Sequence, residues 1–378
     1  MSRICRRVRW AAIAALAVFF GLGPGCSRRP VTETTFTVGV LLPLSGGAAS
    51  LGKPCLNGIQ LRVDQYARER KRGEPVVQLI IEDTQAQPAS AVSAFHKLVS
   101  AHNARAVLGP LSSGETLAVA PLADRNHVVI LSPGASAPSV STAGDYVFRN
   151  ELSDAHGARE QARLAYDLLH LRTIGIIYVN NEYGVGTATV FRKQFTRLGG
   201  RVVVDEAFAA GTTDFRTALT AVKAAKPDAV LFVYQDDIVN FVRPRAELGV
   251  AAKVFTTPVF ETPSNLKSLG SLAEGIVYAY YGEFDLRARN GAVQSFTRAY
   301  RNRFGGPPTY YSALGYDAAS IMIEALRRCR FDPERLKASL YSIRGFRGVT
   351  GTTSFDKNGD VQKPVTIRTV RGGRFVPY

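Results

Sequence analysis

The chain has 378 residues, 46% of them hydrophobic, with a formal net charge of +16, which is too long for one ordinary domain and apolar enough for two packed cores. Its 34 glycines and 19 prolines are spread along the chain, which excludes a long low-complexity segment. Lys and Arg are scattered among acids, as in Arg68-Glu69-Arg70-Lys71-Arg72, so the charge reads as a solvated surface facing an anionic membrane and argues against nucleic-acid binding.

The first element is a processing signal. Arg3, Arg6, Arg7 and Arg9 precede an apolar run of 13 residues, Trp10 to Leu22, which ends at Gly23-Pro24-Gly25-Cys26. A membrane-spanning helix needs roughly 20 such residues, so the run predicts export and a signal peptide over 1–25. Cys26 directly after a small residue suits a bacterial lipobox, although Gly23 stands where that motif has leucine; the alternatives are lipid attachment at Cys26 and plain secretion. Cleavage leaves 43 basic and 31 acidic residues, a net charge of +12. Cys55 and Cys329 then remain, and their spacing leaves open whether they pair.

From Phe36 onward short β-rich runs alternate with amphipathic stretches. Strands are predicted at Phe36–Leu42, Val76–Glu82, Ala104–Leu108 and Val128–Leu131, with helices at Leu51–Arg72, Pro88–His102 and Gly114–Asn126 between them. A second series follows, with helices at Asp154–Leu171, Gly184–Leu198, Asp214–Ala225 and Asp236–Leu248, and strands at Thr173–Val179, Arg201–Ala207, Ala229–Tyr234 and Lys253–Thr256. Regular βαβ alternation predicts an α/β fold of two Rossmann-like lobes, each a parallel-type sheet flanked by helices. Ligands gather at the carboxyl ends of such strands, so the loops there are the places to search.

Gly47-Ala48-Ala49-Ser50-Leu51-Gly52-Lys53 satisfies the P-loop pattern, but Pro54 follows where Ser or Thr would hold magnesium. Proline also removes an N–H that would face phosphate, so the glycines read as a tight turn with Pro54 opening a helix. In Gly109-Pro110-Leu111-Ser112-Ser113-Gly114-Glu115, Ser112 and Glu115 form a capping box, which leaves Ser113 at a helix N-terminus suited to a carboxylate. Ser132-Pro133-Gly134-Ala135-Ser136-Ala137-Pro138 is a second hydroxyl- and glycine-bearing loop at the next strand end. There is no G-x-S-x-G, H-E-x-x-H or C-x-x-C, and the five histidines stand alone, so neither an enzyme, a metal site nor a cofactor is expected.

At these loops the chain resembles the type I periplasmic solute-binding proteins of the leucine/isoleucine/valine-binding family, over nearly all of residues 36–378. The resemblance is carried by Gly39-Val40-Leu41-Leu42-Pro43-Leu44-Ser45-Gly46, by the two loops above, by Asn181-Glu182-Tyr183-Gly184-Val185-Gly186, and by Gly211-Thr212-Thr213-Asp214-Phe215. Lys226-Pro227-Asp228-Ala229-Val230, Gly315-Tyr316-Asp317-Ala318 and Gly348-Val349-Thr350-Gly351, followed by Phe355-Asp356-Lys357-Asn358-Gly359-Asp360, complete it. It implies a three-crossover hinge near Leu152, Asp285 and Gly351. A tether would then span 26–35, lobe 1 would hold 36–151 and 285–350, and lobe 2 would hold 152–284 and 351–378.

The resemblance also implies that Ser113 and Ser136 hold a ligand carboxylate, that Gly134 or Ala135 offers a carbonyl to an ammonium, and that Tyr183 closes over the ligand from lobe 2. An acid should meet the ammonium, with Asp236, Asp237 and Glu261 as candidates. Asp236 or Asp237 has a helix N-cap as its alternative role, and Phe260 either lines the side-chain pocket or belongs to the core. The implied function is the binding component of an ABC importer, a monomer that takes an amino-acid-like ligand, of branched-chain type in the first instance, to a permease. The alternative is a lipoprotein sensor or envelope module acting through protein partners.

Overall fold

The computed structural model describes residues 34–235, 238–288 and 290–378. The first half runs β1 (Thr35–Leu42), α1 (Ala49–Glu69), β2 (Val76–Asp83), α2 (Pro88–Ser100), β3 (Ala106–Leu108), α3 (Ser113–Asn126), β4 (Val129–Ser132) and β5 (Val147–Arg149). These strands form one parallel sheet in the order β2-β1-β3-β4-β5. Strands buried on both faces need apolar residues throughout, which is why Val38 to Leu42 and Val128 to Leu131 carry no polar side chain.

The second half runs α4 (Asp154–Arg163), β6 (Thr173–Val179), α5 (Glu182–Arg197), β7 (Arg201–Phe208), α6 (Arg216–Ala225), β8 (Ala229–Val233), α7 (Val239–Glu247), β9 (Lys253–Thr256), α8 (Pro263–Leu269) and β10 (Val277–Tyr281). Three helices then return to the first sheet region, α9 (Gly291–Phe304), α10 (Tyr310–Arg328) and α11 (Pro333–Tyr341), before β11 (Phe346–Gly348), β12 (Gly351–Thr353), β13 (Val365–Val370) and β14 (Phe375–Pro377). The second sheet has the order β14-β13-β10-β9-β8-β6-β7, parallel except that β13, next to the edge, pairs antiparallel with both β10 and β14. The α/β fold of two parallel-type sheets flanked by helices agrees with the sequence reading.

Each sheet is covered on both faces. Ile59 and Tyr66 of α1 with Ile321 and Leu326 of α10 fill one side of the first sheet, and Phe95 and Leu98 of α2 with Val119 of α3 fill the other. On the second sheet Phe191 and Phe195 of α5 face one way, and Leu219, Val222 and Phe241 of α6 and α7 the other. Burying one such side chain is worth about 1.5–3 kcal/mol, so these clusters supply most of the driving force of each lobe.

Two expectations differ from the structure. α1 begins at Ala49, with Leu51 and Gly52 N–H both bonded to the Ala48 carbonyl, so Pro54 lies in its second turn and does not open it. The hinge also changes lobes later than Gly351. Phe355 and Val361 pack in the core of the first lobe, and Asp360 binds the buried Arg149 guanidinium at 2.7 Å. The last crossing therefore falls at Lys363-Pro364, just before β13. An ion pair formed with a residue more than two hundred positions earlier is invisible to local pattern. Cys55 and Cys329 are both buried free thiols.

Candidate functional site

The capping box is present: Ser112 accepts from the Glu115 N–H, and the Glu115 carboxylate accepts from Ser112 N–H at 3.1 Å. It fixes the start of α3 and sets Ser113 behind the β4 loop. There the Ser113 hydroxyl oxygen accepts from the amides of Ser136, at 3.2 Å, and Ala137, at 3.0 Å. Ser113 thus holds the Ser136 turn in place from behind. Ala135 is fully buried; its N–H binds Ser132 Oγ at 3.0 Å, and its carbonyl accepts from Arg149 at 3.5 Å.

Ser136 points the other way, into a cavity of about 20 Å³ lined by Gly134, Ser136, Glu151, Asp154, Tyr183 and Tyr281, with Pro258, Val259, Tyr310 and Tyr311 completing the wall. Gly134 and Ser136 follow β4 of one sheet, whereas Tyr183, Pro258 and Val259 follow β6 and β9 of the other. The cavity therefore lies where strand ends of both lobes meet, and its volume suits a single water. The lobes are closely apposed: a Cβ on Gly114 of α3 would lie 2.8 Å from the Glu182 carboxylate of α5, and one on Gly186 would lie 2.8 Å from Pro138.

Hydroxyls and carboxyls are paired across this cavity. Ser136 donates to Asp154 Oδ2 at 2.6 Å and Tyr281 donates to Asp154 Oδ1 at 2.7 Å. Tyr310 donates to Glu151 Oε1 at 2.9 Å, and Tyr183 donates to Thr257 Oγ1 at 2.7 Å. Burial pushes Asp154 up to about 6, against the hydroxyl bonds and the Arg149 charge that favour its ionised form. Burial also raises Glu151, while the positive charge of Lys363 and the Tyr310 bond oppose it. The phenols of Tyr183, Tyr281 and Tyr310 are held well above their ordinary value by burial, so they remain donors.

Of the residues singled out in the sequence, Gly134, Ser136 and Tyr183 are brought to one cavity and Ser113 and Ala135 stand directly behind it. Glu261 is elsewhere. Its carboxylate binds Arg368 at 2.6 Å and accepts from Tyr278 at 2.5 Å, beside a separate cavity of about 120 Å³ that also holds Tyr280 and Phe284. Phe260 is core, edge-on to Tyr278 at 5.4 Å. Asp236, Asp237 and Cys26 lie outside the described residues. Sequence reasoning missed Glu151, Asp154, Tyr281, Tyr310 and Tyr311. The available signals were an acid on either side of the predicted crossover at Leu152, and tyrosines clustered at 278–281 and 310–311.

A periplasmic binding protein family profile matches residues 35–374. The chain belongs to that family. Over 208 residues it is 32% identical to a Leu/Ile/Val-binding protein of Rhizobium johnstonii, a match that spans 54% of this chain and 55% of that one. It is 23% identical to a leucine-, isoleucine-, valine-, threonine- and alanine-binding protein of Pseudomonas aeruginosa, across 89% of this chain and 90% of that one. Among solved structures, the leucine-binding protein LivK of Thermotoga maritima superposes with a TM-score of 0.83 at 26% identity, covering 91% of this chain and 97% of that one. LivJ of Streptococcus pneumoniae, solved with isoleucine, gives 0.82 at 25%, covering 90% and 98%. A Rhodopseudomonas palustris solute-binding protein solved with benzoate, at 22% identity, covers 91% and 95% with a TM-score of 0.81 and shares the fold. These relatives are substrate-binding proteins and not enzymes, and the Streptococcus and Rhodopseudomonas proteins are described as parts of transporters. Among the described residues of this binding protein, no helix is long and apolar enough to cross a membrane, and no group of side chains could hold a metal ion.

Proposed function

We propose that the chain is the extracytoplasmic binding component of an ABC importer and captures an amino-acid-like ligand, of branched-chain type in the first instance, by closing its two lobes. The observation that carries this reading is the cavity lined from both lobes, with Gly134 and Ser136 on one side and Tyr183, Pro258 and Val259 on the other. The ligand carboxylate would meet Ser136 and the Gly134 turn, with the Ser113 hydroxyl bracing that turn, and Tyr183 would cover the opposite face. Apolar contacts from Pro258, Val259 and the tyrosine rings would take a hydrophobic side chain. The four rings also favour a second ligand class, aromatic carboxylic acids, which stack well on such walls.

A thermal-shift screen of the mature chain against aliphatic amino acids, aromatic amino acids and benzoates separates the two. A ligand at 100 times its Kd adds about 2.7 kcal/mol of stability and raises the transition. The screen is expected to find an amino acid that does so, and Ser136→Ala or Ser113→Ala should weaken its binding by roughly tenfold or more. If no small molecule moves the transition, the transport reading fails. We also propose that Cys26 carries a lipid anchor that keeps the chain beside its permease. Processing should then be blocked by globomycin, and an unmodified Cys26 in the mature protein's mass spectrum would show free secretion instead.

A further inference from the structure

We propose that a second cavity, among the helices of the first lobe, is a binding site for a phosphate ester held by Arg62, Arg327 and Arg347. The cavity has a volume of about 300 Å³, is bounded by α1, α9, α10 and β11, and shares no wall residue with the inter-lobe cavity. It therefore lies outside the ligand site proposed above and does not depend on lobe closure.

The three guanidinium groups come from three elements, and each keeps donors unused. Arg62 of α1 gives Nη2 to Glu69 at 2.6 Å, whereas its Nη1 is buried with no hydrogen-bond partner among the described residues. Arg327 of α10 turns Nε and Nη2 to Glu74 at 3.3 and 3.2 Å, which leaves Nη1. Arg347 of β11 is exposed, and its side chain enters no hydrogen bond or ion pair among the described residues. Two acids also line the cavity, but both are spent. Asp317 accepts from the amides of Val349 and Thr350 and from the Thr350 hydroxyl, and Glu324 binds Arg328 at 2.8 Å. The Arg62 charge is felt at the cavity wall: burial raises the Tyr316 phenol, and Arg62 is the strongest influence that opposes the rise.

A buried N–H without an acceptor is costly, and an oxyanion supplies the missing acceptors. Guanidinium forks match phosphate oxygens in pairs, and three of them offer more donors than the two oxygens of a single carboxylate engage. The volume exceeds that of a bare phosphate ion, and Phe296, Tyr316 and Phe346 give the remaining wall aromatic surface for an organic group carried on the phosphate. Such a group has two sources, a soluble phosphate ester and the headgroup of an anionic phospholipid. The excess of Lys and Arg over Asp and Glu attracts either one at long range.

Calorimetric titration of the mature chain, prepared without a lipid on Cys26, with phenyl phosphate and with inorganic phosphate tests the proposal. Phenyl phosphate is expected to bind more tightly than inorganic phosphate, and Arg347→Gln and Arg62→Gln should each weaken it by roughly tenfold. Arg216→Gln removes the same charge from an exposed position on α6, outside the cavity, and should leave the Kd unchanged. If Arg62→Gln does not fold, Arg62→Lys, which keeps the charge and loses the fork, should weaken binding in the same direction. Release of phenyl phosphate by vesicles of equimolar phosphatidylglycerol and phosphatidylcholine, but not by phosphatidylcholine alone, assigns the site to a lipid headgroup; no release by either assigns it to a soluble ester. No binding of phenyl phosphate, or equal losses in the Arg347 and Arg216 variants, overturns the proposal and leaves the transport reading standing.

Discussion

Asp154 holds Ser136 at 2.6 Å and Tyr281 at 2.7 Å, and burial raises it to about 6. Its unfolded-state value is near 3.9, so the folded state binds a proton more readily than the unfolded chain. Stability from this group is therefore highest below pH 4 and is lost as pH rises through about 6, by roughly 3 kcal/mol in total. Asp154→Asn cannot titrate and keeps hydrogen-bonding capacity towards both hydroxyls. Urea midpoints between pH 4 and pH 7.5 should show the wild type losing stability relative to this variant across that window; parallel curves would mean that Asp154 does not titrate there. At this scale the sequence was legible only where partners are near neighbours. Ser112 and Glu115 sit three residues apart and form the box as read, whereas Glu261 meets an arginine 107 residues away that no local spacing announces.

Secondary-structure elements follow from periodicity because each strand and helix meets its core with its own repeat, so β6 and β9 fall where the apolar runs placed them. The departures have local causes. The helix predicted to reach Leu171 leaves α-helical geometry after Arg163 and widens to a π-helical turn at Leu164–Leu168, a change that packing sets and apolar spacing does not encode. Four aromatic rings of the second lobe gather around Phe232 of β8, whose ring centroid lies 4.0 Å from that of Phe241, 5.2 Å from Phe215, 5.3 Å from Tyr234 and 5.6 Å from Phe208. Phe232→Ala should cost about 3–5 kcal/mol in chemical denaturation because the surrounding rings cannot collapse into the space. Val203→Ala on β7, where the side chain is 37% exposed, should cost less than about 0.5 kcal/mol. Comparable losses at the two sites would mean that the aromatic cluster does not carry the lobe.

For the whole molecule the decisive region is the hinge, where Lys363, Asn150, Thr350 and Asp317 form one buried polar network. Asp317 accepts from the amides of Val349 and Thr350, each at 2.7 Å, and Gly282 and Glu283 N–H groups bind the Pro364 and Thr350 carbonyls at 3.0 Å. All three strand-to-strand passages are thus tied together at one point. By itself the sequence determined the α/β class, the two sheets, the family and the loops that carry Ser113, Gly134, Ser136 and Tyr183, because apolar periodicity and short turn motifs are local. Tertiary structure alone decided that the carboxyls of the cleft are Glu151 and Asp154, that Glu261 is spent on Arg368, and that the last crossing waits until Lys363. Those outcomes depend on which distant side chains share a buried, low-dielectric space, where each donor and acceptor must find a partner, and chain order does not record that neighbourhood.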